Sequence, residues 1–174
     1  HNSGRGVLDP DIQLLGDFAI DTATSDYFSI NDIYDLGGFM LSELDIDHRY
    51  DFRFFGTRSS RQTHTSEYTV VGSTRGAALL QTSGQGIGHD GVFSGNDNQF
   101  ASITGIHPDE FGQIFVDFST HDRVPSVLSA MEITVTAVPE PSCCVLLFLA
   151  VLTLQGCRQR TTECGLLRRL VTHA

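Results

Sequence analysis

The chain contains no tryptophan and no lysine, and no cysteine occurs before Cys143. Each absence removes an option. Without thiols, the long body ahead of Cys143 can form neither a disulfide nor a thiolate metal site, so packing alone must hold it together. Without tryptophan, Tyr27, Tyr34, Tyr50 and Tyr68 are the rings that combine an apolar face with a polar tip, the pairing that sugar contacts use. Without lysine, all 11 basic residues are arginine, which reads as a compositional bias and not as a device for binding anions.

Positive charge is also scarce where the chain is longest. Residues 1–138 carry 19 acidic side chains against 7 arginines, a balance of −12, while residues 139–174 carry 2 against 4, a balance of +2. A nucleic-acid partner needs a basic stripe that displaces counterions from phosphates, and a body this acidic repels phosphate instead. Nucleic acid is therefore excluded as an expected partner.

Catalytic spacing is missing too. The GSTRG segment at residues 72–76 places Ser73 directly after a glycine and lacks the Gly-x-Ser-x-Gly order of a nucleophile elbow. The seven histidines, His1, His48, His64, His89, His107, His121 and His173, include no pair at helical metal-ligand spacing, and they are expected on surfaces or in turns. His48 with Asp45 and Asp47 groups an imidazole with carboxylates, but DIDHRY also reads as a turn leading into a strand. Asp109 and Glu110 lie in PDEFG, which is first a turn and only second a carboxylate pair. The expectation is a protein that is not an enzyme and needs no cofactor.

What is present is strand patterning. Segments starting at Phe39, Tyr50, Glu67, Ala77, Phe100, Gly112 and Leu128 alternate apolar with polar residues over strand length, and Gly, Pro, Asn or Asp clusters separate them. In YDFRFF, a period of two puts Tyr50, Phe52 and Phe54 on one face and Asp51, Arg53 and Phe55 on the other, so Arg53 is expected to be exposed. Ile114, Val116 and Phe118 likewise oppose Phe115 and Asp117, and Met131, Ile133 and Val135 alternate with Glu132, Thr134 and Thr136. Short strands at this spacing predict an all-β antiparallel sandwich or barrel. The acidic N-terminal third is less regular, with one or two edge strands expected near Asp17 and Tyr27. A glycine-rich loop over residues 82–99 offers Asp90, Asn96 and Asp97 as weak calcium candidates, although its spacing is not that of an EF-hand and no glutamate supplies a bidentate ligand. No metal is expected.

The composition changes abruptly at AVPEPSCCVLLFLAVLTLQGCRQR, residues 137–160. Its apolar run, residues 143–156, would span roughly 21 Å as a helix, against a hydrocarbon core of about 30 Å. Arg158 and Arg160 follow it and favour a cytoplasmic C-terminal side. This segment resembles the PEP-CTERM sorting signal of exported bacterial proteins, with Pro139, Glu140 and Pro141 as its triplet, a short apolar helix next and Arg158 and Arg160 as its basic flank.

That resemblance implies recognition by an exosortase-type membrane protease, transient membrane anchoring through the C-terminal helix, removal of the tail, and delivery to the cell surface or beyond. It divides the chain into a body over 1–137, a sorting signal over 138–160 and a cytoplasmic tail over 161–174. The body, through LDIDHRYDFRFFGT, EYTVVG, SITGIHPDEFGQIFVDF and LSAMEI, resembles galactose-binding-like jelly-roll β-sandwich domains beside such signals, notably in planctomycete exported proteins. Similar modules follow SGNH-type hydrolase domains. The resemblance implies a noncatalytic exported or cell-surface protein in contact with extracellular polysaccharide or matrix. The alternative it allows is an accessory carbohydrate-binding-like module of a larger SGNH-type hydrolase, with the catalytic domain upstream of His1 and the N-terminus truncated or processed.

Overall fold

The computed structural model describes residues 6–30, 37–89, 94–121 and 123–137. The triplet Pro139, Glu140 and Pro141, the expected helix over 143–156, Arg158, Arg160, Asp90 and Tyr34 lie outside the described residues. Those that are described are mostly β, and every pairing between strands is antiparallel.

Among the described residues nine strands run β1 (Phe28–Ile30), β2 (Gly37–Leu41), β3 (His48–Phe55), β4 (His64–Val71), β5 (Arg75–Ser83), β6 (Ala101–Ile106), β7 (Ile114–Thr120), β8 (Ser126–Leu128) and β9 (Ala130–Ala137). They form a four-stranded sheet of order β2-β7-β4-β5, a three-stranded sheet of order β6-β3-β9, and a two-stranded ribbon of β1 with β8. Each segment read as a strand from Phe39 onward contains one. The last segment is divided at Ser129, whose N–H donates to the Phe55 carbonyl at 2.9 Å.

Alternation decides what each sheet buries. Tyr50, Phe52 and Phe54 of β3, Tyr68 and Val70 of β4, Ile103 and Ile106 of β6, and Ile114, Val116 and Phe118 of β7 join one buried cluster fed by both larger sheets. The Phe54 and Tyr68 rings stack at 4.6 Å with 3° between planes, linking the three-stranded to the four-stranded sheet. Outward positions stay open, as the 44% exposure of Phe115 shows. β9 follows the same rule more loosely: Met131 and Ile133 pack on the cluster, but Val135 is exposed.

The opposite face of β3 departs from the expected pattern. Phe55 is fully buried, in a second cluster with Leu15 and Phe18 that also touches Phe100. The cover comes from the N-terminal third. There, α1 (Ile12–Leu15) leads into a 3-10 turn over Gly16–Phe18, and α2 (Asp21–Thr24) precedes β1. Of the one or two edge strands expected near Asp17 and Tyr27, one forms, β1, and Asp17 lies in the 3-10 turn. The physical reason lies in spacing: Leu15 and Phe18 are three apart, so a helical turn directs both onto Phe55. Asp11 starts that turn by accepting the Gln13 N–H at 2.7 Å, an N-cap contact.

Arg53 is correspondingly not a free surface residue. Its Nη1 donates to Glu132 Oε2 at 2.8 Å, and the guanidinium lies 4.5 Å from the Phe100 ring centre and 5.3 Å from that of Phe18. The arginine thus roofs the second cluster from β3.

Candidate functional sites

Two shallow clefts are formed by residues distant in sequence. The first, about 200 Å³, is lined by Thr22, Ala23, Asp26, Tyr27, Phe28 and Ser129, where α2 and β1 meet the β8–β9 junction. Thr24 fixes α2 there: its buried hydroxyl reaches the Val7 carbonyl at 3.0 Å and the Ile20 carbonyl at 3.2 Å. Pairing of Phe28 with Leu128 brings β1 beside the junction, and Phe28 remains 74% exposed. The exposed Asp26 carboxylate accepts the Tyr27 N–H at 2.8 Å, which leaves its second oxygen available to a ligand. The cleft therefore offers two aromatic rings, a carboxylate and the hydroxyls of Thr22 and Ser129. Such a surface can stack on an apolar ring face while accepting hydroxyl hydrogen bonds.

The second cleft, about 280 Å³, lies on the outer face of the three-stranded sheet and is lined by Arg49, Asp51, Thr104, Gly105 and Thr136. The register places Arg49 opposite Thr136 of β9. On the other side, the β3–β6 pairing slips between Tyr50 and Phe52, so β6 bulges opposite Asp51. Gly105 sits in that bulge with φ +73°, in open space, so glycine is favoured there by its backbone conformation and not by crowding. Its N–H donates to Asp51 Oδ1 at 2.6 Å.

The residues singled out from sequence are placed as follows. Tyr50 and Tyr68 are core residues and not sugar platforms: the Tyr50 hydroxyl accepts the Asp45 N–H at 3.0 Å, and that of Tyr68 donates to the Val127 carbonyl at 2.7 Å. Burial holds the Tyr68 phenol protonated far above its ordinary range. Tyr27 lines the first cleft. His64, expected on the surface, is buried at the start of β4, with Nδ1 3.2 Å from the Pro125 carbonyl and Nε2 3.4 Å from Ser60 Oγ. Burial pushes its pKa down, against the opposing pull of the Pro125 carbonyl.

DIDHRY is a turn. Asp45 accepts the Asp47 N–H at 2.9 Å, and its other oxygen lies 2.9 Å from His48 Nδ1, close enough for an ion pair although the angle is not that of a hydrogen bond. The Asp47 N–H, and after it His48, hold the Asp45 carboxyl below its usual range. PDEFG is a turn as well: Asp109 Oδ1 accepts the N–H groups of Phe111 and Gln113 at 2.9 and 2.8 Å, while Glu110 stays exposed. GSTRG contains the β4–β5 turn, tied to the neighbouring loop by the Ser73 N–H on the His107 carbonyl at 2.9 Å.

In the glycine-rich loop, Asn96 is fully buried and committed to the fold. Its Nδ2 donates to the Gly56 and Gln99 carbonyls at 3.1 and 2.8 Å, and its Oδ1 accepts the Gln99 and Asn98 N–H groups at 2.9 and 3.3 Å. Asp97 Oδ1 accepts the His89 N–H at 2.9 Å, and its Oδ2 lies 2.6 Å from His89 Nδ1. Among the described residues, no three His, Cys, Asp or Glu side chains converge as metal ligands, and no helix is long and apolar enough to cross a membrane.

No family model, no curated protein and no solved structure matches the chain. Neither cleft was named as a site by sequence reasoning. Tyr27 was visible as an amphipathic ring, but Ser129 joins it only through β1–β8 pairing, and the Asp51 cleft needs the β6-β3-β9 order.

Proposed function

We propose that this is a noncatalytic, exported or cell-surface protein with a jelly-roll-like β-sandwich body that contacts extracellular polysaccharide, and that an exosortase-type protease sorts it through the segment after Ala137. The observation that carries the polysaccharide contact is the cleft in which Tyr27 and the exposed Phe28 lie beside Asp26, Thr22 and Ser129. Two rings supply stacking area with little side-chain freedom to lose, and the carboxylate and hydroxyls supply orientation. The sorting part rests on the triplet Pro139, Glu140 and Pro141, the apolar run and Arg158 and Arg160.

A panel of immobilised polysaccharides tests the contact. The full chain is expected to bind at least one neutral glycan, and Tyr27→Ala is expected to remove that binding while leaving thermal unfolding close to that of the parent. Absence of binding across the panel, or binding by Tyr27→Ala and Phe28→Ala as tight as that of the parent, overturns the reading. For the sorting signal, mass spectrometry of exported protein from a host with an exosortase should find the tail removed near Pro139; an intact Ala174 on most exported molecules argues against removal.

A further inference from the structure

The Arg49–Asp51 cleft shares no residue with the Tyr27 cleft and does not rest on the reading given to it. Arg49 and Asp51 are two apart on β3 and face the same side, yet they form no ion pair. Asp51 turns one oxygen to the Gly105 N–H of the bulge, which fixes the carboxylate and leaves its other oxygen as an acceptor. Arg49 makes no hydrogen bond or ion pair with any described residue, so its forked donors are uncommitted, in contrast to Arg53 two residues further on. A guanidinium left unpaired beside a carboxylate that is held by backbone is a polar recognition surface with one positive and one negative end. The lining hydroxyls extend it: Thr104 stands on β6 and Thr136 on β9, with β3 between them.

We infer that this cleft is a second binding site, which takes a carboxylated sugar of the uronate type. The ligand carboxylate would lie in the fork of Arg49, a bidentate charge-assisted pair, and its ring hydroxyls would donate to Asp51 and exchange hydrogen bonds with Thr104 and Thr136. Size favours a sugar over a free amino acid. Three neighbouring strands spread these groups over roughly 10 Å, as adjacent strands lie about 4.8 Å apart, and a substituted six-membered ring spans far more of that width than one ammonium and one carboxylate on a single carbon. At about 280 Å³ the cleft is at the small end of ligand pockets, a volume suited to one sugar unit and not to a long chain.

Titration of the full chain with sodium glucuronate, followed by amide shifts in NMR spectra, tests this. Saturable shifts are expected at Asp51, Thr104, Gly105 and Thr136 and not at Tyr27 or Phe28, so that the outcome is independent of the first cleft. Arg49→Leu should weaken glucuronate binding by about tenfold or more, the loss of one charge-assisted pair. Arg49→Lys, which keeps the charge but loses the fork, should weaken it less, and it serves as the test if the leucine variant unfolds. Glucose should bind the site more weakly than glucuronate. The inference is overturned by an absence of saturable shifts, by unchanged affinity in both Arg49 variants, or by glycine binding as tightly as glucuronate, which would make the cleft a site for zwitterions.

Discussion

The two faces of β3 bury aromatic rings in opposite ways. On the inner face, Tyr50, Phe52 and Phe54 enter a cluster built by two sheets, and β4 and β7 supply partners at every second position. On the outer face, the polar residues Arg49, Asp51 and Arg53 lead to a single buried ring, Phe55, covered by a helical turn and two neighbouring phenylalanines. Sheet against sheet gives a core that strand alternation specifies. Turn against sheet gives one that depends on a local segment staying in place, and it leaves the rest of that face open for the Arg49–Asp51 cleft.

The strongest way to break the comparison is to empty one ring position on each side. Phe54→Ala removes a fully buried ring stacked on Tyr68 and should cost about 3 to 5 kcal/mol in denaturant unfolding. Phe55→Ala should lie at the low end, about 3 kcal/mol, because the covering turn can settle into part of the space. It should also speed hydrogen exchange at the Leu15 amide, a change that Phe54→Ala should not produce selectively. If the two variants lose equal stability and exchange alike at Leu15, the clusters are one unit and the contrast fails.

pH separates the two sides more finely, because the inner face of β4 begins with the buried His64. Burial depresses its pKa in the fold below the ordinary 6.5 that the unfolded chain retains. As pH falls through 6.5, the unfolded state gains the proton first, so the stability held by neutral His64 is present above that value and is lost below it. One such group sets a limiting slope of about 1.4 kcal/mol per pH unit. His64→Gln should flatten the fall in unfolding midpoint between pH 7 and pH 5; an unchanged slope would assign the acid sensitivity elsewhere.

The smallest effect is expected on the outer face. Arg53→Ala removes a partly exposed ion pair with Glu132 and the stacking over Phe100 and Phe18, together worth about 1 kcal/mol. Glu132→Gln should cost less, since it leaves the ring contacts intact. A loss from Arg53→Ala as large as that from Phe55→Ala would show that the arginine, and not the buried ring, holds the N-terminal turn down.

The sequence by itself determined the strand faces and the source of stability. A side-chain period of two, set by backbone geometry, assigned Phe52 and Phe54 inward and Phe115 outward before any partner strand was known, and the lack of cysteine before Cys143 left packing as the means of holding that region. Tertiary structure decided which outward residues are covered and which meet. Phe55 reads as surface until the Leu15–Phe18 turn lies over it, Arg53 reads as a free surface residue until it lies over the Phe18 and Phe100 rings, and His64 reads as a surface group until the Pro125 carbonyl meets it in the fold. Both clefts belong to this second class. Periodicity fixes the direction of a side chain relative to its own strand, whereas strand order and register, which depend on contacts far apart in the chain, bring Arg49 and Asp51 to Thr104 and Thr136.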